Sequence, residues 1–173
     1  MIKKTFKAAA NTVNLAAFTA LVGIGAYNIQ EASAEQALRT ISADDEYCLQ
    51  QNIYFEARNQ STTGQVAVAW VTINRMESAR YPSTLCDVVW QSKQFSWTHD
   101  GKSDRPGNTV LEQRAWEDAG LVAKVTLLDW ARDRTSPVDG AVMYHADYVK
   151  PYWRTSYDRV TQIDNHIFYE QKG

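Results

Sequence analysis

Residues 48–58 read CLQQNIYFEAR and place a single acid, Glu56, directly after two aromatic residues. Ser42 and the acids at positions 44 and 45 supply an N-cap and a negatively charged first turn, so a helix is predicted from there to about Arg58. A carboxyl group packed against aromatic rings loses water, which raises its pKa. A general acid that works near neutral pH requires such a shift. The plainer alternative is a solvent-facing glutamate near a helix end, paired with Arg58 or a lysine.

Two further helices are predicted directly after this one. The second helix runs from about Thr63 to about Ser78, because its apolar residues recur at intervals of three and four and form one face. These residues are Val66, Ala69, Trp70, Ile73 and Met76. Pro82 then interrupts the chain, and Ser83 can cap a short third helix that ends at Val89.

The second half of the chain changes from helical to β-type patterning. A long helix is predicted from Asn108 or Thr109 to near Arg132, and its two partly apolar stripes indicate that it is the central helix. Short segments rich in β-branched and aromatic residues follow and are typical of strands. They comprise residues 141–145, 160–163 and 166–169. The fold class is therefore α+β, with helices first and a small antiparallel sheet at the end.

Length and composition limit the classes of function. The 173 residues are enough for one domain with a real core, and the net charge of -2 gives no reason to expect a nucleic-acid partner. The 6 Trp and 9 Tyr are numerous for this length. Such residues fill cores, but they also line grooves that hold sugars or peptides.

The N-terminal residues have the pattern of an export signal. Three lysines precede a weakly apolar span from Ala8 to Tyr27, and the small residues 32–34 form a cleavage motif. We therefore expect residues 1–34 to be a signal peptide cleaved after Ala34 or, alternatively, a retained signal anchor. Residues 35–43 are predicted to be a short polar linker and residues 44–173 the functional domain. The domain is expected to be exported to the periplasm or cell wall and to contact a membrane only through its N-terminal segment.

The two cysteines, Cys48 and Cys86, both lie in the predicted domain. An even number of cysteines in an exported protein favours a disulfide, which would contribute about 3–4 kcal/mol by the chain-entropy model. Two buried free thiols are the alternative. The cysteines and the 3 histidines lack the spacing of a zinc site, so no metal is predicted.

Six motifs in register carry a resemblance to a known family. They are IYFEAR (53–58), GQVAVAWVTINR (64–75), YPSTLCDVV (81–89), QFSW (94–97), AVMYHADYVKPYW (141–153) and NHIFY (165–169). Together they cover nearly all of residues 44–173, and this part of the chain resembles the SleB-type family of spore cortex-lytic enzymes and cell-wall hydrolases. The resemblance implies a lysozyme-like, lytic-transglycosylase-like domain that cleaves peptidoglycan glycan strands between N-acetylmuramic acid and N-acetylglucosamine. It implies no cofactor, and we expect a monomer.

The same resemblance implies that Glu56 is the catalytic acid. Other candidates come from the matched motifs and from the suitability of planar amides and aromatic faces for sugars. The candidates for substrate binding are Tyr54, Gln65, Asn74, Gln94, Phe95, Trp97, His145, Trp153 and His166. The sequence departs from the family where Asn59-Gln60 replaces Gly-Glu and where Asp164 replaces a glycine. The second departure puts the geometry of the loop before Asn165 in doubt.

The partner of Glu56 in the reaction stays open at this point. A hydrolase needs a second carboxylate about 5–10 Å away, and Asp87, Asp100 and Asp164 are candidates. Without one, the C6 hydroxyl of the muramic acid attacks and gives a 1,6-anhydro product, as in a lytic transglycosylase. The rival enzyme class is a wall amidase or peptidase, for example with Cys48 and His166 as a catalytic pair. The rival outside enzymes is a catalytically inactive peptidoglycan-binding module.

Overall fold

The computed structural model describes residue 29 and residues 31–173 of the chain, which form helices followed by a sheet. The predicted signal segment falls mostly on residues 1–28 and 30, which lie outside the described residues. The α-helices are α1 (Ala43–Ala57), α2 (Thr62–Glu77), α3 (Leu85–Val89) and α4 (Val110–Ala131). The strands are β1 (Ala141–Ala146), β2 (Tyr157–Ile163) and β3 (His166–Gln171). Two 3-10 helices cover Ser96–His99 and Tyr152–Ser156.

Side-chain caps explain why the helix starts are close to their predicted positions. The Ser42 hydroxyl accepts from the backbone N–H of Asp45 at 3.0 Å, which satisfies one of the unpaired donors at the start of α1. Thr109 caps α4 in the same way through the N–H of Glu112 at 3.2 Å. At α3 the cap is Thr84 rather than the predicted Ser83, with the N–H of residue 87 at 3.1 Å.

The central helix is α2 and not, as predicted, the longest helix. α2 packs against α1, α3, α4, β1 and β2, whereas α4 packs mainly on α1 and α2. The two apolar stripes of α4 form a single buried face around Ala119, Ala123 and Leu127. Ala115, Trp116 and Trp130 are partly buried against the core, whereas Leu111 and Leu121 point to solvent and are 75% and 63% exposed. α4 therefore covers one side of the domain.

The sheet has the strand order β1-β3-β2 and is antiparallel throughout, which confirms the predicted α+β fold class. Asp164 lies in the turn between β2 and β3 with a φ of 49°, the left-handed region that suits the glycine it replaces. Its carboxylate accepts from the N–H of Ser61 at 2.9 Å and from the Ser61 hydroxyl at 2.7 Å. This departure from the family pattern ties the turn to the start of α2.

The predicted disulfide is confirmed, because Cys48 and Cys86 are bonded and join α1 to α3. Residues 31–38, which overlap the predicted linker at 35–43, are helical. Leu38 and Ile41 pack on the main core, where their burial outweighs the polar composition of the segment. Within the part of the chain that the structure describes, no helix is long and apolar enough to cross a membrane.

Candidate active site

A cavity of about 530 Å³ opens where the C-terminal turns of α1 and α2 face the sheet. Glu56 comes from the last turn of α1, Arg75 from the last turn of α2, and Tyr144 from β1. The loop before the first 3-10 helix closes another side with Gln94 and Phe95. The lining is completed by Tyr81, Lys93, Ser96, His99, Met143, Trp153 and Tyr157.

A second cavity of about 270 Å³ shares Glu56 and Ser96 with the larger one. Its other lining residues are Phe55, Arg58, Trp97, Asp100, Lys102 and Ser103. Glu56 therefore stands where two cavities meet. An extended polymer that lies across both cavities passes this carboxyl group at an internal bond.

The carboxyl group of Glu56 is largely removed from water. Burial raises its pKa, while the hydrogen bond from Tyr144 and the charge of Arg75 lower the pKa by smaller amounts. The Tyr144 hydroxyl donates to Oε2 at 3.0 Å. Both the burial and the direction of the pKa shift agree with the interpretation of Glu56 as a general acid.

Tyr144 makes the two carboxyl oxygens of Glu56 inequivalent. Burial raises the pKa of Tyr144 well above its usual value, with the neighbouring Glu56 carboxylate adding to the shift, so the phenol keeps its proton. The phenol therefore acts as a donor to Oε2, which leaves Oε1 as the oxygen that is free of this bond. The ring of His166 packs edge-on against Tyr144, with centroids 5.2 Å apart.

Arg75, which ends the motif GQVAVAWVTINR, is buried although charged side chains are mostly exposed unless they are paired. Its side chain is only 3% exposed and its Nε donates to the carbonyl of Val142 at 2.7 Å. The guanidinium lies over the rings of Phe95 and Tyr81, with 5.1 Å and 5.6 Å to the centroids. Burial is the main cause that lowers its pKa from the ordinary arginine value. No salt bridge to Arg75 is formed by the described residues.

Four of the predicted substrate-binding residues line the two cavities. Gln94, Phe95 and Trp153 border the larger cavity and Trp97 borders the smaller one. The indole N–H of Trp97 donates to the side-chain oxygen of Asn52 at 3.2 Å. Its ring stacks on Phe55 at 4.7 Å, so the position of Trp97 is set by α1 itself.

Tyr54 and Asn74, predicted to bind substrate, lie elsewhere. Tyr54 is 1% exposed and belongs to the main core, because neighbouring helical residues point about 100° apart and Tyr54 faces away from Glu56. Asn74 donates its amide to the carbonyls of Val138 and Ala141 at 3.2 Å and 2.8 Å. Asn74 thereby fixes the start of β1 rather than bordering the Glu56 cavities.

Gln65, His145 and His166 also lie outside the lining of both cavities. Gln65 bonds only weakly to the backbone of Gln60 at 3.4 Å. His145 stands behind Trp153, with Nδ1 2.8 Å from the carbonyl of residue 146 and Nε2 3.0 Å from the Tyr169 hydroxyl. Burial lowers the pKa of His166, which lies behind Tyr144.

The three candidates for a second carboxylate are not equivalent. Asp87 is bonded to the Thr84 hydroxyl at 2.7 Å in the cap of α3, and Asp164 is bonded to Ser61. Asp100 alone borders a cavity shared with Glu56, the smaller one. In the larger cavity Glu56 is the only carboxylate contributed by residues 29 and 31–173. Among these same residues no group of three or more His, Cys, Asp or Glu is arranged to hold a metal ion.

Comparison with known proteins identifies the family. A family model described as Cell Wall Hydrolase matches residues 59–169. The chain belongs to the Cell Wall Hydrolase family. It is 30% identical over 128 residues to the spore cortex-lytic enzyme of Oceanobacillus iheyensis, covering 73% of this chain and 42% of that protein. The match to the Bacillus subtilis spore cortex-lytic enzyme is 28% identical over 142 residues and covers 82% and 42%. The chain thus spans less than half the length of these curated relatives.

Solved structures of this family share the fold. The catalytic domain of the Bacillus cereus SleB protein has a TM-score of 0.57 at 28% identity, covering 75% of this chain and 92% of that one. The catalytic domain of the germination-specific lytic transglycosylase SleB from Bacillus anthracis gives the same TM-score and identity and is 96% covered. The predicted resemblance and the lysozyme-like α+β fold are therefore confirmed.

Several lining residues of this cell wall hydrolase domain were not predicted from the sequence. Tyr81, Tyr157 and Lys93 come from loops and a strand edge, where no periodic pattern indicates direction. The burial of Arg75, by contrast, is indicated by its position in the helical pattern of the sequence. Arg75 falls one helical turn after Val71 on the buried face of α2, and a charged residue on such a face requires a special environment.

Proposed function

We propose that this protein cleaves the glycan strands of peptidoglycan between N-acetylmuramic acid and N-acetylglucosamine, with Glu56 as a lone general acid and base. The observation that supports this proposal most strongly is the buried carboxyl group of Glu56. It lies at the junction of two cavities, and burial raises its pKa. The absence of a second carboxylate from the described lining of the larger cavity favours the transglycosylase route over hydrolysis. The names of the relatives support a wall-lytic activity.

In the first step Glu56 donates the proton on Oε1 to the glycosidic oxygen. The bond between that oxygen and C1 of the muramic acid breaks, and the bonding electrons leave with the oxygen, which becomes a hydroxyl group. The sugar acquires oxocarbenium character, and Glu56 is left as a carboxylate. The donor hydroxyl of Tyr144 and the charge of Arg75 stabilise that carboxylate.

In the second step the same Glu56 carboxylate acts as a base. It removes the proton from the C6 hydroxyl of the muramic acid while the C6 oxygen bonds to C1. The product is a 1,6-anhydro sugar, and Glu56 regains its proton, so no water is consumed. The raised pKa favours the protonated form that the first step requires, and the carboxylate left by that step is the base for the second.

The two rival functions have less support. A cysteine peptidase or amidase requires a free thiolate, and Cys48 is bonded to Cys86. An inactive binding module has no requirement for a carboxyl group buried at the centre of its groove. We further propose that the enzyme acts outside the cytoplasm, either in remodelling of the bacterial wall or as a phage endolysin.

The experiment is mass spectrometry of soluble muropeptides released from purified peptidoglycan by the full chain. Three proteins are compared: wild type, Glu56→Gln, and Glu117→Gln as a control on the exposed side of α4. Glutamine keeps the shape of the side chain but has no proton to give. We expect anhydro-muramoyl fragments from the wild type and the control, and none from Glu56→Gln.

Each other outcome changes the proposal in a defined way. Fragments with reducing ends would indicate hydrolysis and require a second carboxylate, for which Asp100 is the nearest candidate. Equal release by wild type and Glu56→Gln would contradict the assignment of Glu56. Binding of peptidoglycan without release of fragments by the wild type would favour the inactive module.

A further inference from the structure

We infer that the larger cavity binds a carboxylate of the substrate through Arg75 and Lys93, so that the enzyme selects glycan strands with an acidic substituent. This inference rests on the proposed function for the identity of the polymer. It adds a charged recognition site to the acid and base chemistry of Glu56.

The first observation is an unused donor on a buried cation. The guanidinium of Arg75 borders the cavity, is 3% exposed, and its Nη1 is buried with no hydrogen-bond partner. Its other contacts include the Val142 carbonyl, the Met143 sulfur at 3.7 Å from Nη2, and the side chains of Phe95 and Tyr81, none of which carries a negative charge. A buried charge without a counter-ion is costly. An anion that enters the cavity offsets that cost.

Glu56 interacts with Arg75 through charge when it is ionised, but the two side chains form no direct ion pair. The two side chains border the same cavity but do not form a salt bridge within 4.0 Å, and Oε2 of Glu56 is bonded to Tyr144. Glu56 must also be neutral when it acts as the acid. In the form that is ready to react, the cavity therefore holds the positive charge of Arg75 with no negative charge beside it.

The second observation is another unpaired cation on the same cavity. Lys93 has a φ of 67°, a left-handed conformation that a non-glycine residue adopts at an energetic cost. Backbone strain of this kind clusters at functional sites. Lys93 is exposed, borders the cavity, and forms no salt bridge with any described residue. Two cations from separate elements thus face one space.

The chemistry of the polymer identifies the anion. N-acetylglucosamine is neutral, whereas N-acetylmuramic acid carries a lactyl group that ends in a carboxyl group. In strands without stem peptides this carboxylate is free; in peptide-bearing strands it is an amide, and the carboxylates belong to the peptide. The larger sugar also suits the larger cavity, about 530 Å³ against about 270 Å³. We therefore assign the muramic acid to the cavity of Arg75 and Lys93.

Binding to the full-length Glu56→Gln protein tests this site without cleavage of the ligand. The signal is tryptophan fluorescence, because Trp153 borders the larger cavity and Trp97 the smaller one. The ligands are muramic-acid oligosaccharides with free lactyl carboxylates, the same compounds with these groups converted to methylamides, and peptide-bearing oligosaccharides with free or methylamidated peptide carboxylates. We expect a carboxylate ligand to bind about tenfold more tightly than its methylamide, with the difference shrinking as salt increases.

Three substitutions in the Glu56→Gln background locate the effect. Arg75→Met should abolish the preference for the carboxylate, and Lys93→Met should reduce it severalfold. Lys124→Met is the matched control, because Lys124 lies on α4 beside Glu46 and not at the cavity. Circular dichroism checks the fold of Arg75→Met. If Arg75→Met does not fold, the inference is tested by the effect of Lys93→Met on the preference for the carboxylate, because Lys93 is exposed and its substitution should not disturb the fold.

The outcomes separate this inference from the proposed function. Equal affinity for carboxylate and methylamide, or a preference that survives both Arg75→Met and Lys93→Met, would overturn the inference while wild-type cleavage still stood. A preference that depends on Lys93 in a protein whose wild type releases no fragments would support the site and refute the catalysis. A preference confined to the lactyl compounds identifies the sugar as the source of the carboxylate; one confined to the peptide compounds identifies the stem peptide.

Discussion

The two walls of the larger cavity differ in what they carry. The helical wall consists of Glu56 on α1 and Arg75 on α2 and holds the two charged groups that are buried. The sheet wall consists of Tyr144 on β1, Trp153 and Tyr157, and presents hydroxyl groups and aromatic faces. The proposed function therefore assigns proton transfer to the helical wall and contact with the uncharged parts of a sugar mainly to the sheet wall.

The difference follows from how the walls are supported. α1 and α2 pack on each other and on α4, and α2 is the central helix, so groups at their ends are held firmly. Trp153 is half-buried and lies in a short 3-10 helix that packs mainly on β2. A buried group can keep a shifted pKa, whereas a half-buried aromatic at the edge of the cavity can adapt to a ligand. Substitutions of Glu56 in the helical wall should therefore change kcat, and those of sheet-wall residues that do not contact Glu56 should mainly change KM.

The largest effect is expected from Glu56→Asp. The shorter side chain keeps the acid but withdraws it by about one bond length from the glycosidic oxygen, and proton transfer requires hydrogen-bond reach. We expect kcat to fall by about 100-fold with little change in KM, because misplacement by about 1 Å has a cost of that order. Steady-state release of soluble fragments measures both constants. A fall in kcat below fivefold would show that the helical wall tolerates movement.

Tyr144→Phe tests the hydrogen bond that the sheet wall donates to Glu56. The hydrogen bond from Tyr144 lowers the pKa of Glu56, so its removal raises that pKa further. Cleavage requires a protonated Glu56 and declines as the pH rises past its pKa. The alkaline limb of the pH profile of kcat/KM should therefore move to higher pH in the variant. We expect kcat at the wild-type optimum to fall by about tenfold, since the proton is no longer directed to Oε1.

The matched control for this substitution is Tyr169→Phe. The Tyr169 hydroxyl is bonded to His145 and lies behind Trp153, so its loss removes a buried hydrogen bond without touching Glu56. The alkaline limb of the pH profile of Tyr169→Phe should stay at the wild-type position. An equal displacement of the limb in both variants would mean that general loosening of the sheet, and not the bond to Glu56, sets the pKa.

The helical wall could be predicted from the sequence only in part. The desolvation of Glu56 was predicted from its aromatic neighbours, and the resemblance of its motif implied a catalytic acid. Tyr54 was misassigned because closeness in sequence is not closeness on a helix: residues two apart point about 200° apart. Arg75 was missed because the cation is accommodated by Phe95, Tyr81 and a carbonyl of β1, which are far from it in sequence.

In the rest of the fold, features that depend on residues close in sequence were predicted, and features that depend on residues far apart in sequence were not. The starts of α1 and α4 were predicted well because their caps use residues within one turn. The prediction that α4 is the central helix was wrong because periodicity identifies the apolar face of a helix but not how many elements pack on it. Asn74 could not be assigned from sequence, since its partners lie 64 and 67 residues away.

Trp153→Ala probes the sheet wall with a smaller expected effect. The ring borders the larger cavity and packs edge-on against His145 and Tyr157, so it offers a face at the edge of the site. We expect KM to rise about fivefold to tenfold, equivalent to roughly 1–1.4 kcal/mol, with kcat within about twofold of wild type. The values of kcat and KM for wild type and Trp153→Ala are measured on soluble glycan strands of defined length. A change confined to kcat would contradict the prediction that Trp153 and the sheet wall act mainly in substrate binding.

Asp100→Asn should have the smallest effect and is the sharpest test of a lone acid. Asp100 borders the smaller cavity, beside Lys102 with 3.4 Å between Nζ and Oδ2, and its side chain is exposed to water. If Glu56 gives and takes the proton alone, kcat should change by less than about twofold and the product should keep its anhydro ring. A loss of 100-fold or more, with reducing ends among the wild-type products, would make Asp100 the second carboxylate of a hydrolase. The catalytic charge would then extend beyond the helical wall into the loop that follows the first 3-10 helix.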